Sequence, residues 1–123
     1  NEFDSLDDRT FGEDLVNIVQ IHKNEFDKEI EKRVSNWEMG RIAIIDKHLL
    51  RMGMCEILYF SDIPPKVSIN EVIEISKEYS TAGSGKFING ILDSLLIELK
   101  QSGKLKKFGR GLINEKKSNK TDD

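Results

Sequence analysis

The stretch from Ser61 to Leu92, SDIPPKVSINEVIEISKEYSTAGSGKFINGIL, restricts the fold most, because a Pro-Pro turn and a glycine-rich elbow bracket one helix-period run and open a second. Each proline fixes its own φ and biases the residue before it away from helix, so the backbone turns at Asp62-Ile63-Pro64-Pro65 before a helix begins. Helical spacing follows. Val67, Val72, Ile75 and Tyr79 share a face that Ile69 and Ile73 widen, and Ser68-Ile69-Asn70-Glu71 has the spacing of a capping box near the start of a helix predicted over 67–79. Thr81-Ala82-Gly83-Ser84-Gly85 stops that helix and starts the next.

The same period recurs along the chain, so the pattern predicts an all-α helical bundle of about five helices. The first runs from Phe11 to His22, with Phe11, Leu15, Ile18, Val19 and His22 on one face and Thr10-Phe11-Gly12-Glu13 as its capping box. The second runs from Asn24, its N-cap, to Ser35, carrying Phe26, Ile30, Val34 and then Trp37 inward. The third spans Asp46 to Phe60, is capped by Asp46, and buries Leu49, Leu50, Met54, Ile57 and Leu58, with Gly53 allowing a neighbour close. The fifth reaches from Gly85 to Lys100 with Ile88, Ile91, Leu92, Leu95 and Leu99 on one stripe, and Gly103 ends it. Residues 102–123 are polar and Lys-rich and read as a flexible basic tail, because so few apolar groups cannot offset ordering entropy.

A chain of 123 residues fits one fold unit, and 37% apolar residues suffice for a helical core. No apolar run approaches the roughly 18 residues a membrane span requires, which argues for a soluble protein with no membrane partner. The formal net charge of -3 argues against a whole-molecule grip on nucleic acid. Charge is uneven, however: residues 1–36 hold ten acids against five bases, and residues 104–123 seven bases against three acids. Any such contact is therefore local. The single cysteine, Cys55, excludes an intrachain disulfide, reads as a small buried hydrophobe, and suits a reducing cytoplasmic location.

Catalytic and metal chemistry find little support. Gly83-Ser84-Gly85-Lys86 lacks a phosphate loop's glycine, since Ser80 stands there, and its following Ser or Thr, where Phe87 stands. His22 and His48 have no partners at ligand spacing, and Cys55 has no base nearby in sequence. No enzyme activity, metal or cofactor is expected.

Trp37, the run IDKHLLRMGMCEILYF (Ile45 to Phe60), the run DIPPKVSINEVIEISKEY (Asp62 to Tyr79) and KFINGILDSLL (Lys86 to Leu96) together resemble the NusB family of bacterial transcription antitermination factors. The resemblance implies an all-helical protein of two small bundles. Residues 1–36 would be a helical hairpin left from the N-terminal subdomain and residues 37–101 the C-terminal bundle. It also implies a non-catalytic factor that binds boxA RNA of nascent transcripts with the ribosomal protein NusE and joins the RNA polymerase antitermination complex. The family's Arg-rich N-terminal helix has no counterpart before Phe11. Two other readings follow. One is an interaction module that self-associates through exposed N-terminal helices, and the other is the accessory domain of an RNA cytosine methyltransferase.

The candidate RNA contacts are Lys86, Phe87 and Asn89. A helix N-terminus aims free N–H groups outward, Lys86 adds positive charge, and Phe87 offers a face for an unpaired base. The alternative is that Phe87 is the first core residue of its helix, Lys86 a solvated neighbour, and Asn89 a hydrogen-bonding partner of the elbow. Gly90 reads as a helix-packing glycine. Asp46 is the candidate contact for the protein partner by resemblance, with the N-cap as its alternative role. Arg51 and Glu56 read as structural, and Trp37 with Arg41 as a cation–π pair.

Overall fold

A computed structural model describes residues 2–79, 81 and 83–105, with side chains from residue 12 onward. Six helices occur among them and no strand: α1 (Glu2–Ile21), α2 (Lys23–Glu31), α3 (Asn36–Met39), α4 (Ile44–Tyr59), α5 (Pro65–Tyr79) and α6 (Ser84–Ser102). The all-α expectation holds, with one helix more than the period suggests. The Phe11 side chain and the tail from residue 106 lie outside the described residues.

α4 is the central element, and α1, α2, α5 and α6 all pack against it. Its sequence explains that place: Leu49, Leu50, Met54, Cys55 and Ile57 are buried on several sides, so it has no wide solvent face. α6 lays Ile88, Ile91, Leu92, Leu95, Leu96 and Leu99 into the same core. The two helices meet where Gly53 faces Leu92, and a Cβ on Gly53 would stand 2.8 Å from Leu92 Cδ1. α6 ends as its glycine indicates, with Gly103 at φ 71° and the Lys104 N–H donating to the Leu99 carbonyl at 3.0 Å.

Several local expectations are corrected. α1 begins upstream of Phe11, at Glu2, so Thr10 lies inside a helix and does not cap one. A single residue, His22, separates α1 from α2, which starts at Lys23 and leaves Asn24 within the helix. α2 ends at Glu31 and not at Ser35; after a turn over 32–34, Ser35 Oγ accepts from the Glu38 N–H at 3.1 Å and caps the short α3. That break turns Trp37 outward, where it is 66% exposed.

On α5 the buried face is Pro65, Ser68, Ile69, Val72 and Ser76, while Val67 and Tyr79 are exposed. Ser68 is not a cap. The helix starts at Pro65, where a missing N–H does no harm, and Ser68 Oγ donates to Glu56 Oε1 at 2.8 Å in the core between α4 and α5. Two serines thus occupy a stripe that hydrophobicity alone places elsewhere. Glu56 itself is 2% exposed, so its acidic side chain points into the apolar face and not away from it.

Polar ties hold α2 in place. Arg51 Nε and Nη2 donate to the two oxygens of Asp27 at 2.8 and 3.1 Å, a fork that joins α4 to α2. Arg33, in the turn just past α2, bridges Glu29 on that helix and Glu98 on α6. Tyr59 donates to Glu25 at 2.6 Å while its ring stacks on His22 with centroids 4.4 Å apart. Cys55, fully buried as expected, has its thiol pushed up to about 12 by desolvation and then by the neighbouring Glu56 charge.

Candidate nucleic-acid interface

The elbow before α6 is set by one backbone conformation. Gly83 sits at φ 98°, a left-handed value that side-chain-bearing residues rarely adopt, and its carbonyl accepts from the Phe87 N–H at 3.1 Å. Ser84 then enters the helix with its Oγ donating to Asp46 Oδ2 at 3.0 Å and lying 3.2 Å from Thr81 Oγ1. Gly85 lies close to α5, where an added Cβ would be 3.5 Å from both Ile73 and Ser76.

This arrangement reassigns Asp46. α4 starts at Ile44 with Ala43 in the cap position, so Asp46 belongs to the first helical turn and is not the N-cap. Its carboxylate is favourably placed near the positive end of α4, is 6% exposed, and ties that end to the elbow through Ser84. The tie spans 38 positions of sequence.

Lys86 and Asn89 are exposed on the first turns of α6, whereas Phe87 is half-buried and packed against the core. Both readings of Phe87 therefore describe part of it. Phe87, Gly83 and Glu38 border two shallow depressions. One continues past Lys32, Arg33, Lys86 and Gly90, and the other past Trp37, Arg41, Ile42, Asp46 and Ser84. Gly90 is not a packing glycine: nothing lies within 4 Å of where its Cβ would be, and it forms open floor beside Lys86.

Charge at the elbow is mixed but has free cations. Lys32 pairs with Glu29 at 3.1 Å and Arg33 with Glu29 and Glu98, whereas Lys86 and Arg41 make no ion pair among the described residues. Arg41 instead lies over the Trp37 ring, 4.0 Å from its centroid, the cation–π contact that the spacing of the two residues suggests. Sequence reasoning missed Ser84 and Thr81 as elbow moorings and the exposed aspect of Trp37. The Ser35 cap signal before Trp37 was the available clue to the latter.

Among the described residues, no group of three or more His, Cys, Asp or Glu could hold a metal ion, and no helix is long and apolar enough to cross a membrane.

The NusB family model matches residues 2–96. The chain is 52% identical over 100 residues to "Transcription antitermination protein NusB" of Chloroherpeton thalassium, covering 81% of this chain and 47% of that protein. The protein of the same name from Salinibacter ruber is 50% identical over 105 residues, covering 85% and 66% respectively. The chain thus spans about half to two thirds of the length of these curated relatives. A solved structure of T. maritima NusB is similar with a TM-score of 0.62 at 38% identity, over 65% of this chain and 56% of that one. A family match across most of the sequence, agreeing with an all-helical architecture, establishes that the chain belongs to the NusB family.

Proposed function

We propose that this chain acts in transcription antitermination as a non-catalytic factor that binds boxA RNA of nascent transcripts together with NusE, in the RNA polymerase antitermination complex. The observation that carries the reading is the family match over residues 2–96, with relatives named transcription antitermination proteins. On the molecule, the RNA contact is read at the elbow. Lys86 supplies an unpaired cation, Phe87 a partly open ring, and Asn89 an exposed hydrogen-bonding group one turn further along α6. Asp46 enters through the elbow it moors: buried against Ser84, it sets the surface that RNA or NusE would meet.

Fluorescence anisotropy with labelled boxA RNA, with and without NusE, tests this. Lys86→Ala and Phe87→Ala should each weaken binding, and Lys86→Ala should also reduce its salt dependence by about one counterion. Affinity unchanged in both variants refutes the assignment of the elbow.

Exposed Val16 and Ile21 on α1 favour a second reading, self-association through the first helices. In it, residues 1–36 act as a helical subdomain beside the bundle of residues 37–101. Sedimentation of the chain should then show a dimer that Val16→Asp and Ile21→Asp dissolve.

A further inference from the structure

Trp37 carries an aromatic surface that the fold does not use. It is two-thirds exposed, it stands on a four-residue helix held in place by the Ser35 cap, and it lines the depression that ends at Phe87. Arg41 covers the ring with a guanidinium that makes no ion pair among the described residues. A planar cation layered on an exposed indole provides two flat groups in one stack, and unpaired bases are held by such faces. Phe87 lines the same depression as a second aromatic, and Lys86, in the adjoining depression that Phe87 also borders, is a second unpaired cation. Aromatic faces interleaved with unpaired positive charge complement a single strand with stacked bases and a phosphate backbone.

The geometry points to Trp37 and Arg41 as a further base-stacking step for single-stranded RNA, in the depression they share with Phe87 and next to the one lined by Lys86. The strand runs from the depression beside Lys86 past Phe87, which borders both depressions, into the one lined by Trp37; one base stacks on the Trp37–Arg41 pair, and Arg41 also neutralises an adjoining phosphate. This extends the RNA reading of the elbow and rests on it.

Trp37 is the chain's one tryptophan, so its emission reports this site alone. The intact protein is titrated with boxA RNA, following Trp37 fluorescence and, in parallel, the anisotropy of labelled RNA. Stacking predicts quenching with the same midpoint as the anisotropy curve. Trp37→Ala should weaken binding about tenfold, within the range for base–aromatic stacking. Trp37→Phe should recover most of that loss, and Arg41→Lys, which keeps charge but not the plane, should lose about threefold. RNA that binds by anisotropy without altering Trp37 emission, with Trp37→Ala within twofold of the parent, overturns this inference and leaves the elbow reading standing. No binding of RNA by the parent protein overturns both. Quenching by NusE alone and none by RNA assigns the shelf to a protein partner and overturns it as well.

Discussion

Replacing Asp27 with Ala should destabilise the fold far more than removing its partner Arg51, although both changes break the same ion pair. The side chain of Arg51 is 9% exposed and that of Asp27 22%. In Asp27→Ala the guanidinium loses both carboxylate bonds and keeps only His48 Nδ1 at 3.5 Å, so a largely dry charge is stranded between α2 and α4. Breaking a buried pair in this way costs about 3 kcal/mol. With a urea slope of about 1.5 kcal/mol per molar for a domain of this size, the midpoint should fall by about 2 M. In Arg51→Met the methionine fills much of the same space, and the more exposed carboxylate turns to water, for a loss of about 1 kcal/mol. The double variant, with neither charge, should also lie about 1 kcal/mol below the parent, giving a coupling near 3 kcal/mol in a double-mutant cycle. Urea unfolding followed by circular dichroism measures all four proteins. Equal losses for the two single variants, or a loss under about 1 kcal/mol for Asp27→Ala, would show that water screens the pair as it does at a surface.

Glycines on two faces should respond oppositely. Gly53→Ala places a methyl 2.8 Å from Leu92 Cδ1 in a packed core and should cost about 1 kcal/mol after the gain in helix propensity. Gly90→Ala meets nothing and should stabilise by about 0.5 to 1 kcal/mol, both read as shifts in the thermal midpoint. Cys55 should resist a disulfide reagent at pH 8 until the protein unfolds, so the rate of thiol release should follow unfolding in urea. Its raised pKa also sets the sign of an alkaline effect. The unfolded thiol ionises near 9.0 and the folded one near 12, so this contribution is complete below about pH 9 and is lost as pH climbs toward 12. Cys55→Ala should flatten stability in that window, leaving the Tyr59 phenol, pushed up to about 12 by partial burial and its bond to Glu25, as a remaining contributor.

What was legible in the sequence follows from how each residue acts. The stripe of α6 reads directly because every buried position from Ile88 to Leu99 is aliphatic. Gly103 and Gly53 read correctly because one takes a left-handed turn and the other sits where a neighbour crowds in. The apolar period of α5 differs from its buried face because Ser68 and Ser76 are buried while Val67 and Tyr79 face solvent: Ser68 finds Glu56 12 positions away, and Ser76 bonds to the Ile73 carbonyl of its own helix. The same holds at the elbow. Lys86 and Phe87 stand out as residue types, but the link from Asp46 to Ser84 exists only after α4 and α6 have packed. Spacing places Trp37 inward after Phe26, Ile30 and Val34, but the helix ends at Glu31 and the Ser35 cap, a local hydrogen bond, starts a new short helix that carries it outward.

The bond between Ser68 and Glu56 acts on alignment more than on strength. Ridges of aliphatic side chains would tolerate α5 sliding along α4 by one turn, about 5.4 Å, with modest change in apolar contact. Such a slip would carry Ser68 out of reach and leave a 2% exposed carboxylate without that donor. The pair therefore works as an index mark between two otherwise slippery surfaces, and it fixes where the far end of α5 delivers the chain into the glycine turn that follows.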